Sequence, residues 1–170
     1  MTAAVHDDCP FCQIAAGTLH AEVLHRDEAT IAFLDRTAVM EGHTLVVPRA
    51  HAANLWEIGE ADAAAVMRTV HRTARLLRDV LAPDGLTLFQ ANEEAGWQDV
   101  FHLHVHLVPR RTGDPLRRPW SARPADPAEL ARTRQLLLGR RAPATAAHGT
   151  TAPPAPAPAP ARAAGRTESG

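Results

Sequence analysis

Ten histidines and two cysteines carry most of the reactive chemistry in this 170-residue chain. His102, His104 and His106 fall in the stretch VFHLHVHLVPRR, residues 100–111, each separated from the next by one aliphatic residue. A neutral imidazole is a nucleophile near pH 7, a proton carrier and a metal ligand. Cys9 and Cys12 form a Cys-x2-Cys pair in DCPFC. That spacing suits zinc, although two ligands leave a tetrahedron half filled. A redox pair and an incidental pair are the competing readings. The thioredoxin-type setting, with the pair between a strand and a helix of a βαβ unit, is missing around it.

Something must aim these groups. On a helix, His102 and His106 would share a face and His104 would point away, at about 100° per residue. On a strand, all three histidines project from one face, and Phe101, Leu103, Val105 and Leu107 from the other. The alternation favours the strand, which places successive histidines ~6.6 Å apart. That spacing suits an extended ligand or two neighbouring sites. A surface strand of solvated histidines is the plainer alternative. Three ligands in a row on one straight strand converge poorly on a single tetrahedron.

The rest of the scaffold reads in the same terms. AEVLHR and ATIAFLD flank RDEA as a hairpin, and HTLVVPR is a third strand stopped by Pro48. Residues 60–81 form a helix, with Val66, Val70, Leu77 and Leu81 at helical spacing, ended by APDG. LTLFQAN is a fourth strand and VFHLHVHLVP a fifth, closed by Pro109. DPAELARTRQLLL is a second helix, with Asp126 as N-cap, Pro127 at N1 and Glu129 at N3. The order predicts an α+β domain, an antiparallel sheet with helices on one face, over residues 5–138. Residues 139–170 are rich in Ala and Pro and read as a disordered tail. A net charge of −1 argues against a large nucleic-acid footprint or electrostatic membrane binding. No segment approaches the ~20 apolar residues of a membrane span. The N-terminus has no signal-peptide pattern, which predicts a cytoplasmic protein.

HLHVHLV matches the His-φ-His-φ-His-φ-φ pattern of the histidine triad (HIT) superfamily, φ being apolar. FLDRTAVMEGHTLVVPRAH and LFQANEEAGWQDVFHLHVHLVPR also resemble its members, so the likeness covers most of residues 9–111. The chain resembles the bacterial, zinc-containing Hint-like branch. That resemblance implies a five-stranded, mainly antiparallel sheet with a long central helix and a C-terminal helix. It also implies a homodimeric, nucleotide-binding enzyme that cleaves or transfers a nucleotidyl group at its α-phosphate. His104 would be the nucleophile and would carry the covalent intermediate. His106 would contact phosphate oxygens and the leaving group, and His43 would orient the nucleophile. Asp35 corresponds to the acceptor of the ribose hydroxyls. Phe11, Ile14, Phe33 and Leu45 correspond to an apolar clamp around the base, and each could equally be plain core. Asn92 and Gln98 match phosphate- or ribose-side amides. Cys9, Cys12, His51 and His102 complete the branch's structural zinc set, so His102 would leave the catalytic group.

Two positions depart from the family pattern. Asp99 stands where Ser or Thr is common, and an ionised carboxylate accepts hydrogen bonds without donating any. Trp97 replaces a small residue and could narrow the pocket or stack on a substrate. The resemblance implies hydrolysis of a nucleoside phosphoramidate or a dinucleoside polyphosphate. The alternatives are a catalytically weak nucleotide-binding or signalling protein, and a transferase to an acceptor other than water.

Overall fold

In the computed structural model, residues 8–117 and 124–139 are described. The chain divides into two compact units, residues 1–117 and 118–170. The first unit holds a helix α1 (Pro10–Ala16), strands β1 (Val23–Arg26), β2 (Thr30–Leu34) and β3 (Thr44–Pro48), and a long helix α2 (Glu60–Leu81). Strand β4 (Gly85–Phe89), a single 3-10 turn (Glu94–Gly96) and strand β5 (Val105–Arg110) complete it. The second unit contains helix α3 (Pro127–Gly139), where the Asp126 carboxylate accepts from the Ala128 N–H as the cap motif predicts. The tail predicted from residue 139 lies, beyond Gly139 itself, outside the described residues. No helix among the described residues is long and apolar enough to cross a membrane.

The five strands form one antiparallel sheet in the order β1-β2-β3-β5-β4. Helix α2 spans the predicted residues. Its Val66, Val70 and Leu77 are buried against Ala32, Val46, Val105 and Leu107 on one sheet face. A fully buried Val or Leu contributes roughly 1.5–3 kcal/mol, so this stripe anchors the helix. Thr30 and Thr69 share a buried hydroxyl hydrogen bond at 2.8 Å between the strand and the helix.

The expectation of helices on one face is corrected by α1. This helix packs on the opposite face, where Phe11, Cys12, Ile14 and Ala15 are buried with Ile31, Phe33, Leu45 and Val47. A seven-residue helix is too short to persist by itself, so burial and its caps must hold it. Cys9 is its N-cap, Pro10 occupies the first turn, and Gly17 closes it at φ 82°, a left-handed conformation that favours glycine.

The fifth strand is also shorter than expected. It begins at Val105, so Phe101–His104 lie outside the ladder. Two interactions compete with pairing there. The His102 N–H donates to the Val100 carbonyl at 2.9 Å and the Leu103 N–H to the Ala52 carbonyl at 2.7 Å. On the neighbouring strand, Pro48 has no N–H to give, and the His102 ring occupies its carbonyl at 2.9 Å. The in-and-out alternation survives without the ladder. Leu103, Val105 and Leu107 pack on the α2 side, while the His102 and His104 rings lie against Phe11 on the α1 side.

Candidate active site and metal centre

Strand register builds the cleft. Phe33 pairs with Leu45, Leu45 with His106, and His106 with Phe89, which makes one row across the sheet. Helix α1 stands over the row, with the Phe11 and Phe33 rings edge to face at 5.6 Å. The result is a cleft of about 180 Å³. Phe11, Ile14, Phe33 and Leu45 line its apolar side, and Asp35, Asp99, His104 and His106 its polar side. An apolar slot with a few convergent polar groups suits a flat ring attached to a charged group.

His104 is 2% exposed. Its Nδ1 lies 2.7 Å from the His102 carbonyl, which can only accept, so Nδ1 carries the proton. In the neutral ring the lone pair is then on Nε2, on the cleft side and 3.8 Å from the Asp99 carboxylate. Burial restrains the ring, and the backbone carbonyl fixes the tautomer of its neutral form.

His106 belongs to a chain of polar contacts. His43 Nε2 lies 2.9 Å from His106 Nδ1, and His43 Nδ1 lies 3.5 Å from Asp35 and 3.4 Å from the Val39 N–H. Two proton arrangements satisfy it. In one, His43 Nδ1 accepts from Val39, His43 Nε2–H donates to His106, and His106 Nε2 bears a proton. In the other, His43 donates to Asp35, accepts from His106, and leaves His106 Nε2 bare. Burial, aided by His104 and His43, pushes the His106 pKa down to about 4 against the pull of Asp35 and Asp99. Burial also lowers that of His43, again opposed by Asp35. Both rings are thus neutral near pH 7, as either arrangement requires. Gly42, at φ 78°, makes the turn that delivers His43, and a Cβ there would run into Leu81.

Phe89 escaped the sequence reading. Its ring stacks on His106 with centroids 4.0 Å apart and planes 9° from parallel, which fixes the plane of the imidazole. Only the β4–β5 register reveals this contact; the sequence offers no spacing signal across 17 residues.

Asn92 and Gln98 are placed differently from the other expected site residues. The Asn92 carbonyl accepts from the Leu55 N–H at 2.7 Å, and its amide pairs with Gln90. Gln98 is 4% exposed and tied to the Ala53 and Val100 carbonyls and the Glu93 N–H. Neither lines the cleft. They lace residues 53–55 to residues 92–100, the segment that leads into the histidines. Trp97 is exposed at φ 72°, a left-handed conformation unusual for so large a side chain.

The second cluster lies at the other end of the same segment. Cys9 Sγ and Cys12 Sγ are 3.3 and 3.4 Å from His102 Nδ1, and Cys12 Sγ is 3.3 Å from His51 Nδ1. All four ligand atoms lie within 4.8 Å of one another. Bond lengths of about 2.3 Å to sulfur and 2.0–2.1 Å to nitrogen imply sulfur–nitrogen edges of roughly 3.5 Å in a zinc tetrahedron. The observed edges are close to that figure, and Cys9, Cys12 and His102 are buried. His102 donates its Nε2 proton to the Pro48 carbonyl, which frees Nδ1 to face the sulfurs. The four residues therefore fit a metal ion.

Comparison with known proteins agrees with this geometry. The family model for the HIT domain matches residues 16–113. A crystal structure of a HIT family protein from Bacillus subtilis superposes with a TM-score of 0.75 at 34% identity, covering 80% of this chain and 99% of that one. A zinc-bound histidine triad family protein from Mycobacterium smegmatis gives a TM-score of 0.61 at 34% identity, covering 78% of this chain and 94% of the other. The adenylylsulfatase HINT3 of Arabidopsis thaliana is 29% identical over 113 residues, 66% of this chain and 57% of HINT3.

Proposed function

The chain belongs to the HIT domain family, whose members bind nucleotides; from that premise we propose that it cleaves a nucleotidyl group from its leaving group through a covalent intermediate on His104. One observation carries the reading. The His104 Nε2 lone pair opens onto a cleft that joins an apolar slot to a neutral histidine relay. The base sits between Phe11, Ile14, Phe33 and Leu45, and the ribose hydroxyls donate to Asp35.

His104 Nε2 attacks the α-phosphorus, forming a P–N bond as the bond to the leaving group breaks. The leaving atom takes the electron pair and the proton from His106 Nε2. His106 Nδ1 is reprotonated by His43 Nε2, and a proton enters at His43 Nδ1 on the Asp35 side. Water then attacks the phosphorus and gives a proton to His106 Nε2; His106 Nδ1 passes its proton to His43 Nε2, and His43 Nδ1 releases one on the Asp35 side. The electron pair of the breaking P–N bond returns to His104 Nε2, and the relay is back in its first arrangement. Cleavage of a phosphoramidate or a dinucleoside polyphosphate fits these steps, and the HINT3 likeness adds a nucleotidyl sulfate as a third candidate. Asn92 and Gln98 act indirectly, by holding the segment before the histidines.

We further propose that zinc occupies Cys9, Cys12, His51 and His102 as a structural ion, that the chain pairs as a homodimer, and that it works in the cytoplasm, where cysteine ligands stay reduced. The histidine triad protein of Mycobacterium smegmatis supports the metal.

The test is intact-protein mass spectrometry within seconds of mixing with an adenosine phosphoramidate. The expected result is a mass gain of one adenylyl group in the wild type and none in His104→Ala. An adduct of the same size in the variant would reject His104 as nucleophile.

A further inference from the structure

Asp99 is the charged wall of the cleft nearest the nucleophile. Its side chain is 85% exposed and its carboxylate lies 3.8 Å from His104 Nε2. In the neutral ring that attack on phosphorus requires, that nitrogen carries a lone pair and offers the carboxylate no proton. Among the described residues, no Arg or Lys stands within ion-pair distance of Asp99. The negative charge therefore faces the cleft uncompensated. For attack, the phosphorus must come within about 3–3.5 Å of Nε2. Its substituents then fall within a few ångströms of Asp99. The α-phosphate charge is common to every nucleotidyl substrate. What differs between substrates is the charge on the leaving group, and a fixed carboxylate discriminates by that charge.

We propose that Asp99 selects the leaving group by charge, favouring nucleotidyl phosphoramidates of an amine with a second, protonated amino group over substrates that carry an anionic leaving group. The inference rests on the nucleotidyl-transfer reading above. In the favoured substrate the P–N bond breaks, its electron pair goes to the nitrogen, and that nitrogen takes the His106 proton. The remote ammonium keeps its charge throughout and pairs with Asp99.

Three adenosine 5′-phosphoramidates test this, matched in size and in the bond broken. Their leaving groups are diaminoethane, propylamine and glycine, which are cationic, neutral and anionic. In the wild type at low salt, kcat/KM for the cationic compound exceeds that for the anionic one by about tenfold to a hundredfold, the range of a partly screened charge contact. Asp99→Asn, nearly isosteric at an exposed site, brings the ratio to within about threefold of one, and ~1 M salt shrinks the wild-type ratio. A ratio that Asp99→Asn leaves unchanged overturns the proposal, as does a wild-type ratio at or below one. The two readings fail separately. Equal His104 adducts from all three compounds would sink the Asp99 inference alone, whereas no adduct from any would sink the nucleotidyl-transfer reading and this inference with it.

Discussion

His102 and His104 are two residues apart, equally buried and both in contact with Phe11, yet they present opposite nitrogens. His102 gives its Nε2 proton to Pro48 and turns Nδ1 toward the sulfurs. His104 gives its Nδ1 proton to the carbonyl of His102 and turns Nε2 toward the cleft. Neither burial nor residue type separates the two roles. A backbone carbonyl does, by choosing which nitrogen of each ring is protonated. The carbonyl that orients His104 belongs to the residue that faces the sulfurs, so the candidate metal site is one hydrogen bond from the cleft.

Four perturbations would break or sharpen that contrast. The largest effect is expected for His104→Ala, which should lose at least about a thousandfold in kcat/KM while retaining metal content and melting behaviour. Substantial remaining turnover, or loss of metal, would erase the distinction. His102→Ala should do the reverse first, losing the metal and roughly 3–5 kcal/mol of stability, with activity falling as a consequence of unfolding. Elemental analysis and denaturant unfolding read this directly, and full metal occupancy in the variant would contradict the assignment.

Acid tests the relay. The folded His106 ring binds a proton near pH 4, whereas an unperturbed ring does so near 6.5. Stability from this group is therefore fully present above 6.5 and is lost as the pH falls through the window to 4, by at most about 3 kcal/mol. Histidine NMR titration should find His106 neutral at pH 5.5, and a midpoint at or above 6.5 would show that the ring is not held as described. The smallest effect is expected for Phe89→Leu. Loss of the stacked ring should lower kcat about threefold to tenfold with less change in KM. A pure KM effect would place Phe89 on the substrate side.

Much of this was legible in the sequence because the signals were local. Helix α2 announces itself by its apolar period, the hairpin by RDEA, and α3 by Asp126 and Pro127. The segregation of three histidines from three aliphatics also survived, although the first half of the predicted strand did not. What broke the strand was nonlocal: the carbonyls of Ala52 and Pro48 took the partners a ladder needed. Helix α1 was missed although Cys9, Pro10 and Gly17 mark its ends, because the same cysteines also read as a chelate. Cys9 suits both readings, since the sulfur that faces His102 also accepts the Cys12 N–H. Asn92 and Gln98 carried the right residue types for ligand binding, and only the fold shows their amides tied up in loop contacts.

The sequence alone determined the chemical inventory, the alternation and the element types, because each depends on residues within a few positions of one another. Tertiary structure decided the division of labour. It gathered Cys9, Cys12, His51 and His102 from three segments, set Leu45 and Phe89 on either side of His106 through strand register, and chose which nitrogen of the His102 and His104 rings is protonated. Those outcomes depend on which backbone groups meet across the fold, and no local pattern encodes that.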